Sequence, residues 1–294
     1  MMAMPSLPSR RVITVADDFG LSVGVNEAVE RAARDGILTS ASLMVAGPAA
    51  ADAVRRARAL PSLHVGLHLV VIEGTPVLPP DAIPDLVDAD GKFPSAQLRL
   101  GVNYFFRPRV RLQLAAEIRA QFAAFAATGL ALDHANAHKH MHLHPTVGRL
   151  MIDIGRDFGL RAIRIPFEPA IAGGPARTLG DRALGRWCAV LRRQARRAGL
   201  LTNDAMFGLG WTGHMTTARV QQLLDSLPEG LSELYFHPAT QRDPLLRALM
   251  PDYEHAAEFA ALLEARVPDG VGLTSYGASD RSNADTKQKK TFER

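Results

Sequence analysis

The stretch RVITVADDFG, residues 11–20, decides the fold class. Its β-branched run, 11–16, is bounded by Asp17 and Asp18, the pattern of a buried strand that ends in acid. A doubly wound nucleotide-binding sheet would announce itself here with a glycine-rich turn, G-x-G-x-x-G. The chain has Asp17-Asp18-Phe19-Gly20 instead. Working outward, 22–34 has helical periodicity, with Val25, Ala28, Val29 and Ala32 on one face. Ser22 is placed to cap that helix and Gly36 to end it. A strand over 40–45, a helix over 49–60 closed by Pro61, and a strand over 64–72 follow. Strands this apolar need cover on both faces, so the sheet is expected to be parallel and clothed in helices.

Residues 73–106 break the alternation with Pro76, Pro79, Pro80, Pro84 and Pro94 and show little periodicity. A loop of that length inside a compact domain usually serves as a lid or binding wall. Beyond it, helices are expected over 109–128, 146–158, 179–198, 217–227 and 253–265, and strands over 162–165, 231–236 and 272–276. About seven strands alternating with helices give the arithmetic of one irregular (β/α) barrel, with an open doubly wound sheet as the alternative. One domain is expected over 1–278, followed by a polar, basic tail, 279–294, that is expected to be disordered.

Composition narrows the classes. The 294 residues are 47% hydrophobic and 22% charged, which excludes wholesale disorder. Cys188 is the only cysteine, which excludes an intrachain disulfide framework and a cysteine zinc site. No run reaches the ~18 apolar residues of a membrane span. The first residues lack the apolar core of a secretory signal, so the expected address is the cytoplasm. A net charge of +4 is too small to argue for nucleic acid. The segment 179–198 carries Arg182, Arg186, Arg192, Arg193, Arg196 and Arg197 with Trp187 and Leu191. Such a basic amphipathic helix either lies on an anionic membrane, at the inner membrane surface, or simply faces water.

The chemistry gathers at expected strand ends. His134, His138, His140, His142 and His144 crowd into eleven positions. Read as a strand, this segment puts His138, His140 and His142 on one face, where three imidazoles are best explained by a metal ion. A solvated histidine-rich loop is the plainer reading. Asp17 and Asp18 end the first strand, where barrel active sites collect. Neighbours in an extended chain point apart, so one can bind a metal while the other serves as base toward water. Read alone, His68 within Gly66-Leu67-His68-Leu69 is a satisfied core histidine, like His64 near it. With carboxylate and imidazoles at neighbouring strand ends, it joins a facial metal site with open positions. His237 follows a strand and precedes Pro238, placed to act as a general acid. Arg164 either pairs with Asp17, binds substrate or is an ordinary surface arginine. His214 has a weak context, and His255 is expected on a helix surface. Signatures of P-loop enzymes, zincins and α/β-hydrolases are absent from the sequence.

At these residues the sequence resembles the YdjC-like (ChbG-type) carbohydrate deacetylases. The resemblance rests on Thr14-Val15-Ala16-Asp17-Asp18-Phe19-Gly20, Val65-Gly66-Leu67-His68-Leu69, the run from Asn136 to His142, and Phe236-His237-Pro238-Ala239. Asn136-Ala137 stand where the family pattern has Asp-Ser, and Ala239 where it has Gly. Residues 36–45 and 136–140 are most similar to the hopanoid-biosynthesis (HpnK-type) branch. The resemblance implies an irregular (β/α) barrel of the polysaccharide-deacetylase type. It also implies one divalent ion, zinc first with magnesium or another ion as alternatives, held by Asp18, His68 and His138. Asp17 would be the base and His237 the acid. Phe19, Asn136, His140, His142 and Arg164 are candidates for supporting or substrate-binding roles. The implied partner is an N-acetylglucosamine unit, expected to be lipid-linked on a hopanoid, with a soluble chitooligosaccharide as the alternative. No nucleic-acid partner is expected, and a homodimer stays open. The competing classes are a hydrolase of another bond, which would call for more bridging carboxylates, and a barrel that binds metal or sugar without turnover.

Overall fold

The computed structural model describes residues 8–170 and 179–279. Among these, nine parallel-paired strands form one sheet. They are β1 (Arg10–Phe19), β2 (Ser40–Leu43), β3 (His64–Leu69), β4 (Ala135–Ala137), β5 (Ala162–Ile163), β6 (Leu201–Thr202), β7 (Ala205–Phe207), β8 (Gly230–Phe236) and β9 (Val271–Leu273). The hydrogen-bonded order is β6-β5-β4-β3-β2-β1-β8-β7, with β9 against the start of β1. The two ends of that path, β6 and β7, are separated in the chain only by Asn203 and Asp204. The sheet therefore curls until its ends approach. Asn203 holds this junction: its Oδ1 accepts from the N–H of Ile165, just past β5, at 2.7 Å, and its Nδ2 donates to the carbonyls of Ile165 and of Ala205 in β7, each at 2.9 Å. The result is the barrel-like α/β fold that the strand arithmetic predicts.

The helices are α1 (Val23–Asp35), α2 (Ala50–Ala59), α3 (Gln97–Phe106), α4 (Pro108–Ala127), α5 (Pro145–Asp157), α6 (Leu179–Arg197), α7 (Thr217–Asp225), α8 (Pro244–Leu249) and α9 (His255–Glu264). The ends of α1 fall where expected: Ser22 Oγ accepts from the Val25 N–H at 3.3 Å, and the Gly36 N–H closes on Ala32. The proline-rich segment is not all loop. Its last ten residues form α3, with Leu100 and Tyr104 as the buried stripe. In α6 the side chains of Cys188, Leu191 and Ala195 are buried, Arg196 bonds Asp204, and Arg192 stacks on Phe167. Part of the arginine run thus serves the fold; the Arg182 side chain lies outside the described residues. So does the expected disordered tail beyond Ser279.

Period-two alternation sorts each strand between the helices and the barrel interior. Ile13, Val15 and Asp17 share the inner face of β1. Register pairs Ile13 with Glu233 and Val15 with Tyr235, and sets His68 beside Asn136. An apolar plug of Ile13, Val15, Ala162, Leu231 and Tyr276 fills one end of the interior. Polar side chains occupy the carboxyl end.

Two local breaks shape that end. The ladder of β1 slips between Ala16 and Phe19, and Asp18 adopts φ 60°. This kink overturns the expectation that Asp17 and Asp18 must point apart. The expected strand through 138–142 also fails. Pairing with β3 stops at Ala137, and His138–Leu143 wraps into a tight 3-10 turn against α5. Lys139 and His140 sit there at φ 51° and 52°, so the three histidines do not share a strand face. Consecutive left-handed residues that are not glycine are costly and persist only where the surroundings hold them.

The close packing of β3 on β4 gives a test. A Cβ at Gly66 would lie 2.5 Å from the His134 carbonyl oxygen and 2.6 Å from its ring. Gly66→Ala is expected to lower stability by about 1–3 kcal/mol, measured by urea denaturation.

Candidate metal centre

Three buried side chains from three neighbouring strand ends converge. Asp18 comes from the kink in β1, His68 from β3 and His138 from the first residue after β4. Their ligand atoms all lie within 4.8 Å of one another. Asp18 Oδ1 is 3.2 Å from His68 Nε2 and 3.2 Å from His138 Nδ1. Among the described residues no well-aligned hydrogen bond reaches either oxygen of Asp18. A buried carboxylate left in that state, facing two imidazole nitrogens, is what a cation would complete.

The surroundings orient these donors. His68 Nδ1 donates to Asn136 Oδ1 at 2.6 Å, which leaves the Nε2 lone pair aimed at Asp18. Asn136 Nδ2 donates in turn to Asp17 Oδ1 at 3.1 Å and to Ser42 Oγ at 2.8 Å. Ser42 Oγ reaches His134 Nε2 at 3.0 Å, and His134 Nδ1 donates to Asp133 at 3.0 Å. His134 therefore anchors a string of buried polar groups rather than the triad. Burial opposes protonation of His68, yet the charges of Asp17 and Asp18 outweigh it and raise its proton affinity. The same negative field favours a metal ion.

Asp17 stands beside the triad, its Oδ1 3.9 Å from His68 Nδ1. Arg164 grips it with both terminal nitrogens, Nη2 at 2.8 Å from Oδ1, while Arg164 Nε bonds Glu233. Glu233 also accepts the Tyr276 hydroxyl. Burial pushes against ionisation of Asp17, but the Arg164 charge and then His68 hold it well below the usual carboxylate range. The surface reading of Arg164 is overturned: its side chain is 0% exposed.

His237 lies just past β8, with its ring edge against Tyr235 and Tyr253. Burial pulls its pKa down to about 4, although Asp18 and Asp17 work in the other direction. Its backbone N–H donates to Glu258, and its carbonyl accepts from His255 Nδ1 at 2.7 Å. His255 is thus buried at the start of α9 and not on the surface, because it braces the His237 backbone. A cavity of about 220 Å³ joins Asp17, Asp18, His68, His138 and His237, with His140, Tyr235 and Tyr253 among its other walls.

Residues 11–271 match the family described as YdjC-like protein. The chain belongs to the YdjC-like family. It is 30% identical over 274 residues to a carbohydrate deacetylase of Geobacillus stearothermophilus, covering 91% of this chain and 97% of that protein. It is 36% identical over 157 residues to a carbohydrate deacetylase of Brevibacillus brevis, covering 53% of this chain and 60% of that one. Against this second relative the chain spans about three fifths of the length. In fold it is similar, with TM-score 0.70 at 24% identity, to an Enterococcus faecalis V583 structure described as a cellobiose-phosphate cleavage protein, covering 91% and 97% of the two chains.

The remaining candidates of this YdjC-like chain separate cleanly. His142 donates Nε2–H to the Arg164 carbonyl at 3.1 Å, and burial with the Arg164 charge pushes its pKa down to about 3. It supports the Arg164 backbone and stands away from the triad. His140 packs edge-on against Tyr235 and lines the cavity. Phe19 is fully buried in the hydrophobic core between sheet and helices and does not line the cavity. His64 sits at the other end of β3, 3.5 Å from Asp133, and His214 pairs with Glu254 at 3.1 Å. Sequence reading missed Ser42, Glu233 and Glu258. Ser42 and Glu233 share the inward parity of their strands, which was the available signal. Glu258 is a helix acid whose burial only packing reveals. Lys139 and Glu73 form an ion pair that ties the histidine turn to the proline-rich segment.

Two tests follow from this geometry. Asn136→Ala frees the His68 ring, and metal affinity is expected to fall ~10–100-fold by calorimetric titration. Burial pushes Glu258 up to about 7, with its two backbone donors, His237 and Met215, opposing. The folded state then keeps a proton that the unfolded chain releases near the ordinary carboxylate value of 4.5. Stability should therefore decline as pH rises from that value toward 7, by up to a few kcal/mol (order of magnitude). Thermal melts across that range should show a flatter slope for Glu258→Gln, which cannot titrate.

Proposed function

We propose that this protein is a metal-dependent deacetylase that hydrolyses the acetamide of an N-acetylglucosamine unit to acetate and the free amino sugar. The observation that carries the reading is the convergence of Asp18, His68 and His138 on one cavity with Asp17 and His237 on its wall. The carbohydrate deacetylases among its relatives support the substrate class. Two imidazoles and one carboxylate suit zinc best, with magnesium or another divalent ion as the alternative. An ion held there would supply Lewis-acid polarisation of the acetamide carbonyl and acidify water.

The chain's own residues do the rest. Asp17, ionised and fixed by Arg164 and Asn136, accepts the proton of the attacking water. His237 is neutral in the resting protein. Negative charge developing on the carbonyl beside it raises its proton affinity, so that it takes up the proton that Asp17 accepted from the water and hands it to the departing amine. Tyr235, Tyr253 and His140 offer ring edges and polar atoms to the sugar.

The aglycone is read as lipid, on a hopanoid-type carrier. A second cavity of about 330 Å³ adjoins the first through His138 and Leu249, and Leu21, Met44, Val70, Phe93 and Leu245 give it apolar walls. A sugar attached to an apolar group fits that neighbourhood better than a free oligosaccharide.

Asp17→Asn should keep metal affinity within a few-fold and cut turnover by on the order of 10²–10⁴-fold, read as acetate released. Near-parental turnover would remove Asp17 from the role of base. The substrate is tested with metal-loaded protein on chitobiose and on an N-acetylglucosaminyl hopanoid. Acetate from the hopanoid alone supports the lipid-linked reading. Acetate from chitobiose moves the same chemistry to sugar catabolism. Acetate from neither, with metal in the site, points to a binding barrel.

A further inference from the structure

Among the described residues, most of the large exposed apolar side chains lie on two helices, while Val23, Leu112 and Leu273 stand elsewhere. On α3, Leu98, Val102 and Phe105 recur at helical spacing on the side opposite the buried Leu100 and Tyr104, and Phe106 lies against Phe105. Leu98 is 84% exposed and Phe106 71%. On α6, Leu184, Trp187 and Val190 form a second exposed stripe. The two stripes meet over one short segment: the Phe105 ring packs 6.3 Å from the His144 ring, and Trp187 Nε1 donates to the Leu143 carbonyl. Large apolar residues grouped on an open surface mark an interaction site.

Charge identifies the occupant. Residues 95–116 contain Arg99, Arg107, Arg109 and Arg111 and no acid, and 182–203 contain six arginines and no acid. Arg99, Arg107, Arg111, Arg186 and Arg193 are exposed beside the two stripes, while Arg109 pairs with Asp85. Aromatic and aliphatic side chains rimmed by arginine match an anionic lipid surface: the apolar groups enter the headgroup boundary and the guanidiniums meet phosphate. The position agrees. The segment 143–144 closes the histidine turn, and Pro94 and Ser95, just before α3, line the cavity that adjoins the triad.

We propose that the face formed by α3 and α6 docks this protein on an anionic membrane, beside the mouth of its active site. The proposal does not depend on the reaction. It enlarges the sequence expectation for 179–198 alone, because α3 adds Leu98, Val102, Phe105 and Phe106 to the exposed apolar face.

Full-length protein is sedimented with vesicles of phosphatidylcholine alone and of phosphatidylcholine with phosphatidylglycerol. The expected result is binding to the anionic vesicles that weakens with added salt, and a loss of roughly tenfold or more for Leu98→Gln/Phe106→Ser with an unchanged melting temperature. Absence of binding to the anionic vesicles would overturn it, as would equal binding to both vesicle types or binding unchanged in the variant. Self-association of the wild-type chain that the variant loses, without vesicle binding, would assign the face to a second copy and overturn it too.

Discussion

A guanidinium with no access to water lies at the centre of this barrel. Arg164 cannot shed its charge, so the surrounding strands must compensate it. Asp17 from β1 and Glu233 from β8 do so, and the Tyr276 hydroxyl completes Glu233. Removing one partner of such a buried group typically costs about 3–5 kcal/mol. The constraint fixes more than stability. It sets the Asp17 carboxylate on one side of the cavity in one orientation, and through Asn136 it ties that carboxylate to the His68 ring. The proposed base and the candidate metal ligands are therefore positioned by one connected polar layer.

Parity explains how distant pieces of sequence reach that layer. Ser42, His68, Asn136, Arg164 and Glu233 each take an inward position on, or just beyond, a parallel strand whose register is set by its neighbours. In sequence the motifs around Asp18, His68 and His237 were legible because each sits at the end of an apolar run long enough to read as a strand. The alternation from helix to strand, and hence the barrel, was legible for the same reason. Arg164 was harder, since β5 is two residues long and gives no periodicity to set its facing. The burial of Glu258 and His255 depends on how α9 packs, which no local pattern carries.

What the sequence concealed follows from backbone geometry that its residue types disfavour. An Asp at φ 60° and a Lys-His pair at φ 51° and 52° are not what propensity suggests. Both breaks stand beside the candidate metal site. The first brings Asp17 and Asp18 to one mouth. The second detaches His138 from His140 and His142, so that His138 joins the candidate metal triad, His140 lines the cavity and His142 reaches the Arg164 carbonyl. The Lys139–Glu73 ion pair helps hold the second break in place. Strain of this sort, of order 1–3 kcal/mol per residue, is characteristic of functional sites.

The electrostatics impose a compromise on the chemistry. A carboxylate gripped by an arginine is always ionised, hence always ready to accept a proton, but it is a weak base for the same reason. Arg164 divides its charge between Asp17 and Glu233, which tempers that penalty while keeping Asp17 fixed. His237 presents the complementary case: burial makes it reluctant to hold a proton until negative charge appears beside it. A cation at Asp18, His68 and His138 would lower the pKa of a nearby water enough for so weak a base to suffice. In the proposed reaction, the depressed basicity of Asp17 thus calls for a metal and a base that work as a pair, neither adequate without the other.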